Sequence, residues 1–361
     1  MSGAPRFLMA GGGTGGHVMP LIAVAQELRR RGHESVFVGT RRGLEAKLVP
    51  PAGFAMEWIE SQGLKGAGAG QAVRALIRVP GAVAQAGRIL GRTRPAAVFS
   101  TGGYVAGPVM LAAVLRGTPL ALMEPNVMPG LANRWMGRFA ARALLNFREA
   151  ARFFPQGRVE LTGVPVRPEF FEIRPKPREE RARILITGGS QGSRALNAAM
   201  RESWPHFRKA RLPVEFHHQS GPAEFAQTER EFAAAGLAGS VVPFIDDMPS
   251  ALARADLVIS RSGAGAVAEL AAAGRPAILV PFPFAADQHQ LKNAQSFRDA
   301  GAARLLPQQE LDGARLFREI AALVSEAGEL ERMGAAARSL ARPGAAEKAA
   351  QILLELAESE A

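Results

Sequence analysis

The sequence predicts an α/β protein of two domains, each a doubly wound parallel sheet, with a cleft between them. Its 361 residues exceed the ~250 residues at which single cores stop growing. Short apolar runs alternate with helical periodicities, which is typical of parallel strands covered by helices on both faces. Two similar turns, FLMAGGGTGGH at 7–17 and ILITGGSQGSR at 184–194, each follow an apolar run and open a helix, one in each half of the chain.

Nine apolar runs are predicted to be strands. They cover residues 7–10, 36–39, 97–100, 120–123 and 143–146 in the first half, and 184–187, 214–218, 257–260 and 277–280 in the second. After the first strand, apolar residues recur at helical spacing from Leu21 to Leu28 and Gly32 follows as a C-cap. This pattern predicts a helix over about residues 20–31.

The domain boundary is predicted from composition. Segment 167–183 is rich in proline and charge and poor in periodic apolar residues, as a linker is. We therefore expect domains over 1–165 and 166–342. A last segment, 343–361, opens with Pro-Gly and continues as a helix over 345–357, whose apolar stripe could pack on either domain.

Composition narrows the class of protein. A hydrophobic content of 47% and a charged content of 21% describe a globular protein rather than a disordered chain or a bundle of membrane spans. The absence of cysteine excludes disulfides, thiolate metal sites and cysteine nucleophiles. The longest uncharged stretch, 95–115, is interrupted by glycines and a proline that suit a strand, a turn and a helix start. The N-terminal apolar run favours a buried strand over a signal peptide, so we expect a cytoplasmic protein.

The net charge of +11 favours an anionic partner, either nucleic acid, a membrane surface or a phosphorylated small molecule. Coding bias toward arginine is the alternative explanation, because only six of the 44 basic residues are lysine. A non-catalytic nucleic-acid-binding protein is disfavoured, since aromatic residues make up only 6% of the chain and do not interleave with the basic ones.

The first glycine-rich turn predicts an anion site, because free N–H groups and the positive end of a helix dipole converge there. Gly11, Gly13 and Gly16 satisfy G-x-G-x-x-G, a weak signal for a dinucleotide-binding fold. That fold also wants an acidic residue after the second strand, where this sequence has Thr40 and two arginines. An NADP-dependent reductase tolerates those arginines and stays open, as does a turn that only permits close packing.

His17 is the candidate general base of the first half. It lies at a helix N-terminus, which disfavours the imidazolium form; the alternative is a histidine that only caps the turn. Tyr104 follows the strand at 97–100, and Glu124 and Asn126 follow the next strand, so all three are expected at the same sheet edge as His17. Glu124 could orient His17 or act as the base itself.

In the second half, the strand at 257–260 runs into Arg261 and a glycine turn, and the next helix carries Glu269. A carboxylate at that depth can reach a ribose diol while the helix N-terminus faces a diphosphate; the alternative is an ordinary surface glutamate. Asp246 and Asp247 are adjacent and do not form the D-x-D of metal-dependent nucleotide-sugar enzymes. No metal-ligand spacing is present in the sequence.

Nine motifs together make the chain resemble the MurG family of cell-wall glycosyltransferases over nearly its whole length. They are GGGTGGHVMP, STGGYVAGP, MEPN, TGVPVR, GGSQGSRALN, HQSG, FIDDM, RSGAGAVAEL and ADQHQLKNA, in family order. The resemblance implies transfer of GlcNAc from UDP-GlcNAc to the 4-hydroxyl of lipid-linked MurNAc-pentapeptide (lipid I), which makes lipid II. It also implies a GT-B architecture: two Rossmann-like domains, the acceptor in the first, UDP-GlcNAc mainly in the second, and the last helix crossing back to the first.

The resemblance also implies site residues. His17 is the usual candidate base, Thr14, Gly15 and Gly16 lie near the diphosphate and the acceptor, and Asn126 touches the sugar. Arg167 and Ser190 contact the phosphates, Ile245 offers its backbone to uracil, and Gln290 binds the GlcNAc hydroxyls. The phosphates and ribose are covered by Ala264, Gly265, Ala266, Val267, Ala268 and Glu269. Tyr104 and Arg261 complete the set of expected substrate-binding residues.

We therefore expect an inverting transferase that needs neither cofactor nor metal and acts by direct displacement. The acceptor oxygen attacks the anomeric carbon with help from a base, and UDP departs toward the Ser190 turn and the helix that begins near Ala264. N–H donors held ready at the leaving diphosphate should make the largest electrostatic contribution.

A basic stretch in the first half predicts membrane docking. From Ser61 to Arg148 the chain has eleven Lys and Arg residues against Glu124 alone, a charge of +10. Within it, Leu76 and Ile77 share a helical face beside Arg74 and Arg78, an interfacial pattern, although an ordinary amphipathic helix has the same spacing. Because the expected acceptor, undecaprenyl-pyrophosphoryl-MurNAc-pentapeptide, is lipid-linked, we expect peripheral binding to anionic lipids on the inner face of the cell membrane.

Overall fold

The computed structural model describes residues 4–61, 69–175 and 179–359, without the side chains of residues 69–78. It divides into two compact units, Met1–Val166 with Arg342–Ala361, and Arg167–Ala341. Each unit is a parallel sheet with helices on both faces, so the predicted α/β class is confirmed.

The first unit is built on seven strands in the described part of the chain. They are β1 (Arg6–Gly11), β2 (Glu34–Gly39), β3 (Ala55–Trp58), β4 (Ala97–Gly102), β5 (Leu120–Glu124), β6 (Arg142–Leu145) and β7 (Val159–Leu161). The helices are α1 (Gly15–Arg30), α2 (Glu45–Leu48), α3 (Ala69–Thr93), α4 (Ala106–Leu115) and α5 (Leu131–Met136). The strand order is β3-β2-β1-β4-β5-β6-β7, so β1, β4 and β5 lie side by side at the centre.

The second unit has six described strands. They are β8 (Ala182–Thr187), β9 (Val214–Gln219), β10 (Gly239–Val242), β11 (Leu257–Ser260), β12 (Ala277–Leu279) and β13 (Ala303–Leu305), in the order β10-β9-β8-β11-β12-β13. Its helices are α6 (Glu169–Glu172), α7 (Arg194–Ala210), α8 (Phe225–Ala235), α9 (Met248–Arg254), α10 (Ala264–Ala273), α11 (His289–Asp299), α12 (Gly313–Ser325) and α13 (Glu329–Ser339). The chain ends in α14 (Ala345–Glu358), which belongs to the first unit.

The central strand β1 is buried on both faces, because successive side chains point to opposite sides of a sheet. Phe7 and Met9 join the core cluster formed with α1, whereas Leu8 and Ala10 join the cluster formed with α3 and α4. Helix α14 contributes Leu353 to the α1 side of this core. The last helix therefore completes one helical layer of the first unit.

The second unit has a comparable core. Ile184 and Ile186 of β8 pack in one cluster with Trp204 and Phe207 of α7. Ser193 is the N-cap of α7 and accepts a hydrogen bond from the N–H of Leu196. This cap fixes the point at which the second glycine-rich turn becomes helix.

All nine predicted strands are present, but the predicted start of the first helix is wrong. Helix α1 begins at Gly15 rather than near Pro20, and Pro20 lies inside it. The carbonyl of Thr14 accepts the N–H groups of His17 and Val18, so the helix is already hydrogen-bonded before the proline, which removes only one later donor.

The side chains of Arg74, Leu76, Ile77 and Arg78 lie outside the described residues, although the backbone there forms part of α3. Among the described residues, no helix combines the length and apolarity needed to cross a bilayer.

Candidate active site

The turns that follow β1 and β4 in the first unit touch each other. A Cβ atom at Gly103 would lie 2.5 Å from the carbonyl oxygen of Gly12, so the two turns can meet this closely only because residue 103 is glycine. Gly13, Gly102 and Gly103 all have φ near +90°, a conformation that L side chains rarely adopt. The sequence prediction that these strand ends share one edge is correct for this unit.

His17 is fixed by a reciprocal pair of hydrogen bonds to Thr101. Its Nδ1 lies 2.8 Å from the carbonyl oxygen of Thr101, and the Thr101 hydroxyl donates to the carbonyl of His17 at 2.7 Å. Since a carbonyl only accepts, Nδ1 carries the proton, and in the neutral ring Nε2 is the basic nitrogen. The half-buried His17 therefore has the tautomer and the fixed orientation that a general base requires.

Glu124, at the end of β5, is 1% exposed and uses both carboxylate oxygens to organise the following loop. Oε1 accepts from the backbone and side-chain N–H groups of Asn126 at 3.0 and 3.2 Å. Oε2 accepts from the N–H of Gly130 at 3.2 Å and from Asn133 at 2.9 Å. Burial raises the pKa of Glu124 to about 7 against the opposing effect of these donors. Glu124 thus orients Asn126, whereas the Nδ1 proton of His17 is oriented by Thr101.

Sequence reasoning missed Glu45, the first residue of α2, which is 1% exposed. Its Oε1 accepts from the backbone N–H and the hydroxyl of Thr40 at 2.9 and 3.0 Å, and its Oε2 accepts from the N–H of Gly13 at 3.1 Å. The signal in the sequence was weak, because Glu45 lies five residues beyond Thr40, and its contact with the first turn depends on the tertiary structure.

These contacts bear on the dinucleotide alternative. In that fold the glycine-rich turn offers its N–H groups to a pyrophosphate, whereas here the N–H of Gly13 is bound to a buried carboxylate. Arg41, considered above for a 2′-phosphate, lies 5.2 Å over the ring of Trp58. The first turn therefore does not have the arrangement of an NADP site.

Tyr104 supports the first turn. Its hydroxyl lies 3.0 Å from the hydroxyl of Thr40, and its ring would be 2.9 Å from a Cβ atom at Gly13. Thr14 and Gly16 are exposed beside it and Gly15 is half-buried. Thr14 and Gly16 thus face solvent, whereas Gly13 in the same turn is held by Tyr104 and Glu45.

The second glycine-rich turn is braced by Gln219 at the end of β9. The amide of Gln219 donates to the carbonyl of Gly189 at 3.0 Å and accepts from the Thr187 hydroxyl at 3.0 Å. Gly192 packs so closely on the carbonyl of Ser220 that no Cβ fits. Ser190 is exposed at the tip of this turn, where a bound anion can be reached.

Arg261 is a scaffold residue by its contacts. One terminal nitrogen donates to the carbonyls of Val280 and Pro281 at 3.1 and 3.2 Å, and the other to Ser193 and Gln308 at 2.7 and 2.8 Å. Burial lowers its pKa. The side chain joins the end of β12 to the N-cap of α7 through its two terminal nitrogens, and substrate binding by Arg261 stays a prediction.

Helix α10 begins after Gly263 and presents half-buried Ala264, Gly265 and Ala266 in its first turn. Its sixth residue, Glu269, has its pKa raised to about 7 by burial, against the lowering effect of the Arg167 charge. Arg167 is exposed and its guanidinium lies 5.0 Å over the ring of Phe170. A helix N-terminus, a partly buried carboxyl and an arginine thus occur together, as expected for a nucleotide diphosphate and its ribose.

Val267 and Ala268 of the predicted set continue α10. Val267 is fully buried in the core and Ala268 is half-buried, so only Ala268 and the first turn have surface to offer a ligand.

Ile245 lies in an irregular segment after β10, with its side chain buried and the preceding Phe244 49% exposed. In the described part of the chain, no intramolecular hydrogen bond engages the backbone of Ile245. Asp247 caps α9 through Ser250, which leaves it a structural role. The backbone of Ile245 is therefore available for a base edge.

Gln290, in the first turn of α11, accepts the N–H of Phe282 at 3.0 Å through its side-chain oxygen. Just before this helix, Asp287 and Gln288 adopt φ values of 51° and 54°. Positive φ at non-glycine residues is strained and clusters at functional sites.

Among the described residues, no group of three or more His, Asp or Glu side chains is arranged to hold a metal ion.

Comparisons with known proteins agree with this arrangement. The models of the N-terminal and C-terminal domains of glycosyltransferase family 28 match residues 7–145 and 183–352. The chain is 56% identical, over 98% of its length and 97% of the relative, to the UDP-N-acetylglucosamine--N-acetylmuramyl-(pentapeptide) pyrophosphoryl-undecaprenol N-acetylglucosamine transferase of Solibacter usitatus. The chain belongs to the MurG group of glycosyltransferase family 28.

Other members of this group match over similar lengths. The transferase of the same name from Methylococcus capsulatus is 46% identical over 98% of this chain and 99% of its own. The crystal structure of MurG from Acinetobacter baumannii superposes with a TM-score of 0.83 at 31% identity, covering 97% of this chain and 99% of that one. The GT-B fold class is thereby confirmed, and membership of the MurG group leaves no support for a reductase or a nucleic-acid-binding protein.

Proposed function

We propose that the protein transfers GlcNAc from UDP-GlcNAc to the MurNAc 4-hydroxyl of lipid I, with inversion at the anomeric carbon, to form lipid II. The full-length similarity to transferases of that name carries the proposal. The geometry supports it with an oriented histidine in the first unit and, in the second, a helix N-terminus beside an arginine and a partly buried carboxyl group.

The donor site of the proposal lies in the second unit. The backbone of Ile245 reads uracil, and Glu269 binds the ribose hydroxyls. Arg167, the Ser190 turn and the first turn of α10 surround the diphosphate with positive charge and N–H donors, which is how proteins bind such anions. The side-chain oxygen of Gln290 accepts from Phe282, so Gln290 binds the GlcNAc hydroxyls through its amide nitrogen.

The reaction step then uses the first unit. Nε2 of His17 accepts the proton of the acceptor O4 as that oxygen forms its bond to the anomeric carbon of GlcNAc. The bond from that carbon to the β-phosphate oxygen breaks, and UDP leaves with the negative charge. The Thr101 carbonyl stabilises the resulting imidazolium through Nδ1, and the helix N-terminus favours later loss of the proton.

Glu124 positions the side chain of Asn126. Two donors of Asn126 are bound to Oε1 of Glu124, so the rest of its amide faces the sugar in one orientation. This assignment makes Glu124 an organiser of the acceptor site, with His17 as the base.

We further propose that the protein works bound to the inner face of the cell membrane. Besides the basic helical segment at 69–78, α5 and the turn after it expose Leu131, Trp135 and Phe139 by 49%, 60% and 51%. Arg138 lies 5.2 and 5.6 Å over the last two rings. Exposed aromatic side chains flanked by arginine suit the interface of an anionic bilayer.

The test of the reaction is product analysis with a lipid I analogue and UDP-GlcNAc. We expect a disaccharide with GlcNAc β-linked to O4 of MurNAc, together with one UDP per transfer. UDP should raise the melting temperature, by the equivalent of about 2.7 kcal/mol at a hundred times its dissociation constant, whereas ADP and NADPH should not. Absence of the disaccharide, or stabilisation by NADPH alone, would refute the proposal.

A further inference from the structure

Glu45 is a buried carboxylate to which the proposed reaction gives no part. Its three hydrogen bonds, from two donors of Thr40 and one of Gly13, join the end of β2 to the turn after β1. No basic side chain is among the partners that the structure describes for it. The carboxyl group is therefore held by backbone N–H groups and a hydroxyl, an arrangement that fixes a turn and is not an ion pair.

The space around Glu45 is shaped by glycines from three segments. A Cβ atom at Gly12 or Gly39 would lie 2.7 or 2.5 Å from its side chain, and one at Gly43 would be closer still. A side chain at any of these three positions would overlap the side chain of Glu45, so each position requires glycine. Close packing of this kind allows one position of the carboxylate and, through it, one position of Gly13.

A short relay extends from Glu45 to the turn after β4. Because the Thr40 hydroxyl donates its single proton to Glu45, it accepts from the hydroxyl of Tyr104 at 3.0 Å. The ring of Tyr104 packs against Gly13, and the end of β4 just before its turn supplies the Thr101 carbonyl that orients His17. Glu45 thus reaches the turn that precedes His17 and the turn that follows Thr101.

We propose that Glu45 is a positioning residue for the transfer reaction. It fixes the turn that precedes His17 and the turn that follows Thr101, the residue that orients His17. The inference rests on the proposed function. It predicts that loss of the carboxylate misplaces the base in the first unit while the donor site in the second unit stays intact. A displacement of about 1 Å in such a group can cost 10²-fold in rate.

Glu45→Gln tests the inference with little change of shape. The amide NH₂ group must face either the N–H of Gly13 or the donors of Thr40, so at least one donor loses its acceptor. We expect kcat to fall by about 10- to 100-fold, with the KM for UDP-GlcNAc and the calorimetric affinity for UDP within about twofold of the wild type.

Glu27→Gln is the matched control. Glu27 is also a buried glutamate of the first unit, 7% exposed, but it binds Arg30 and Arg31 at the C-terminal end of α1. It should leave kcat unchanged even if it lowers the melting temperature. This comparison separates positioning of the base from general loss of stability.

Thr40 variants keep the inference testable if Glu45→Gln fails to fold. Thr40→Val removes the hydroxyl that links Glu45 to Tyr104 and should lower kcat, whereas Thr40→Ser keeps the hydroxyl and should restore most of it. Wild-type kcat in Glu45→Gln, or in Thr40→Val if the first variant does not fold, would overturn the inference, as would equal losses of kcat and UDP affinity. Failure of the wild type to transfer GlcNAc would instead refute the proposed function.

Discussion

At the scale of single residues, His17 should have the largest effect on catalysis. His17→Ala removes the base that takes the O4 proton, so kcat should fall by about 10²- to 10⁴-fold. UDP affinity should change little, because every residue of the proposed nucleotide site belongs to the second unit. Steady-state kinetics and calorimetry with UDP measure the two quantities separately.

His206→Ala is the control for this experiment, since His206 is an exposed histidine on α7 that stacks on Phe317. It should retain full kcat. If His17→Ala also retains full kcat, the assignment of the base is wrong and Glu124, with its pKa raised to about 7, becomes the candidate.

Glu269 should affect UDP binding and not proton transfer to His17. Glu269→Ala removes the proposed hydrogen-bond partner of the ribose, so UDP binding should weaken by about 1.5–3 kcal/mol, measured by calorimetry. Arg167→Ala should raise the KM for UDP-GlcNAc. Glu229→Ala, an exposed change on α8, should alter neither quantity; equal UDP affinity in Glu269→Ala would make Glu269 an ordinary helix residue.

At the scale of elements, the four strands that sequence analysis missed are the four edge strands. β3, β7, β10 and β13 are short, and most of their residues are half-buried or exposed. An edge strand has one neighbour and less apolar covering, so it lacks the continuous apolar run by which a central strand is recognised. The central strands, which carry the site, were all predicted.

Helix α5 and the turn after it should contribute to membrane binding. The double change Trp135→Ala and Phe139→Ala removes two exposed rings, so sedimentation with anionic vesicles should decrease, as it should with Leu76→Asp or with paired Arg74→Glu and Arg78→Glu. Binding of the parent should weaken with salt, because each basic residue contributes about 1 kcal/mol through a screened attraction.

The control for vesicle binding is Phe284→Ala, which removes an aromatic ring of the second unit that is 83% exposed. It should sediment like the parent, and every variant of the first unit should still bind UDP. If the α5 variant sediments like the parent while the α3 variants do not, α5 is not part of the docking surface.

At the scale of the whole molecule, stability should depend on pH through buried groups of opposite sign. Burial raises the pKa of Glu269 to about 7. At pH values between the ordinary pKa of a glutamate and this raised pKa, the folded state therefore keeps a proton that the unfolded state has lost. This contribution to the free energy of unfolding is full at low pH and is lost as the pH rises toward 7. Burial lowers the pKa of His218 to about 3, so its contribution is lost as the pH falls below about 6.5.

A comparison with Glu269→Gln isolates the first of these effects. Relative to the wild type, the variant should gain on the order of 1–3 kcal/mol of stability between pH 5 and pH 8, because its amide does not ionise. Urea unfolding at the two pH values measures the difference. A constant difference would mean that the folded-state pKa of Glu269 is not raised.

The sequence alone was sufficient for the α/β class, the two glycine-rich turns and the central strands. These features depend on local patterns: apolar runs, glycine where φ is positive, and polar residues at the ends of buried strands. Most substrate-binding residues, such as Ser190, Ile245 and Gln290, were instead implied by the family resemblance and stay predictions. His17 and Glu124 could be singled out because they lie at a helix start and at a strand end, and Glu269 because it lies on the helix that follows a strand and a glycine turn.

Only the tertiary structure decided what those side chains do. Arg261 has its donors bound by the protein itself, Glu124 organises a loop, and Glu45 reaches back across 32 residues of sequence to Gly13. A hydrogen bond depends on where two atoms meet in space, and residue spacing does not encode that once the partners lie on different strands. The local pattern therefore predicts the fold and the position of the site, whereas the partner and protonation state of each polar group follow from packing.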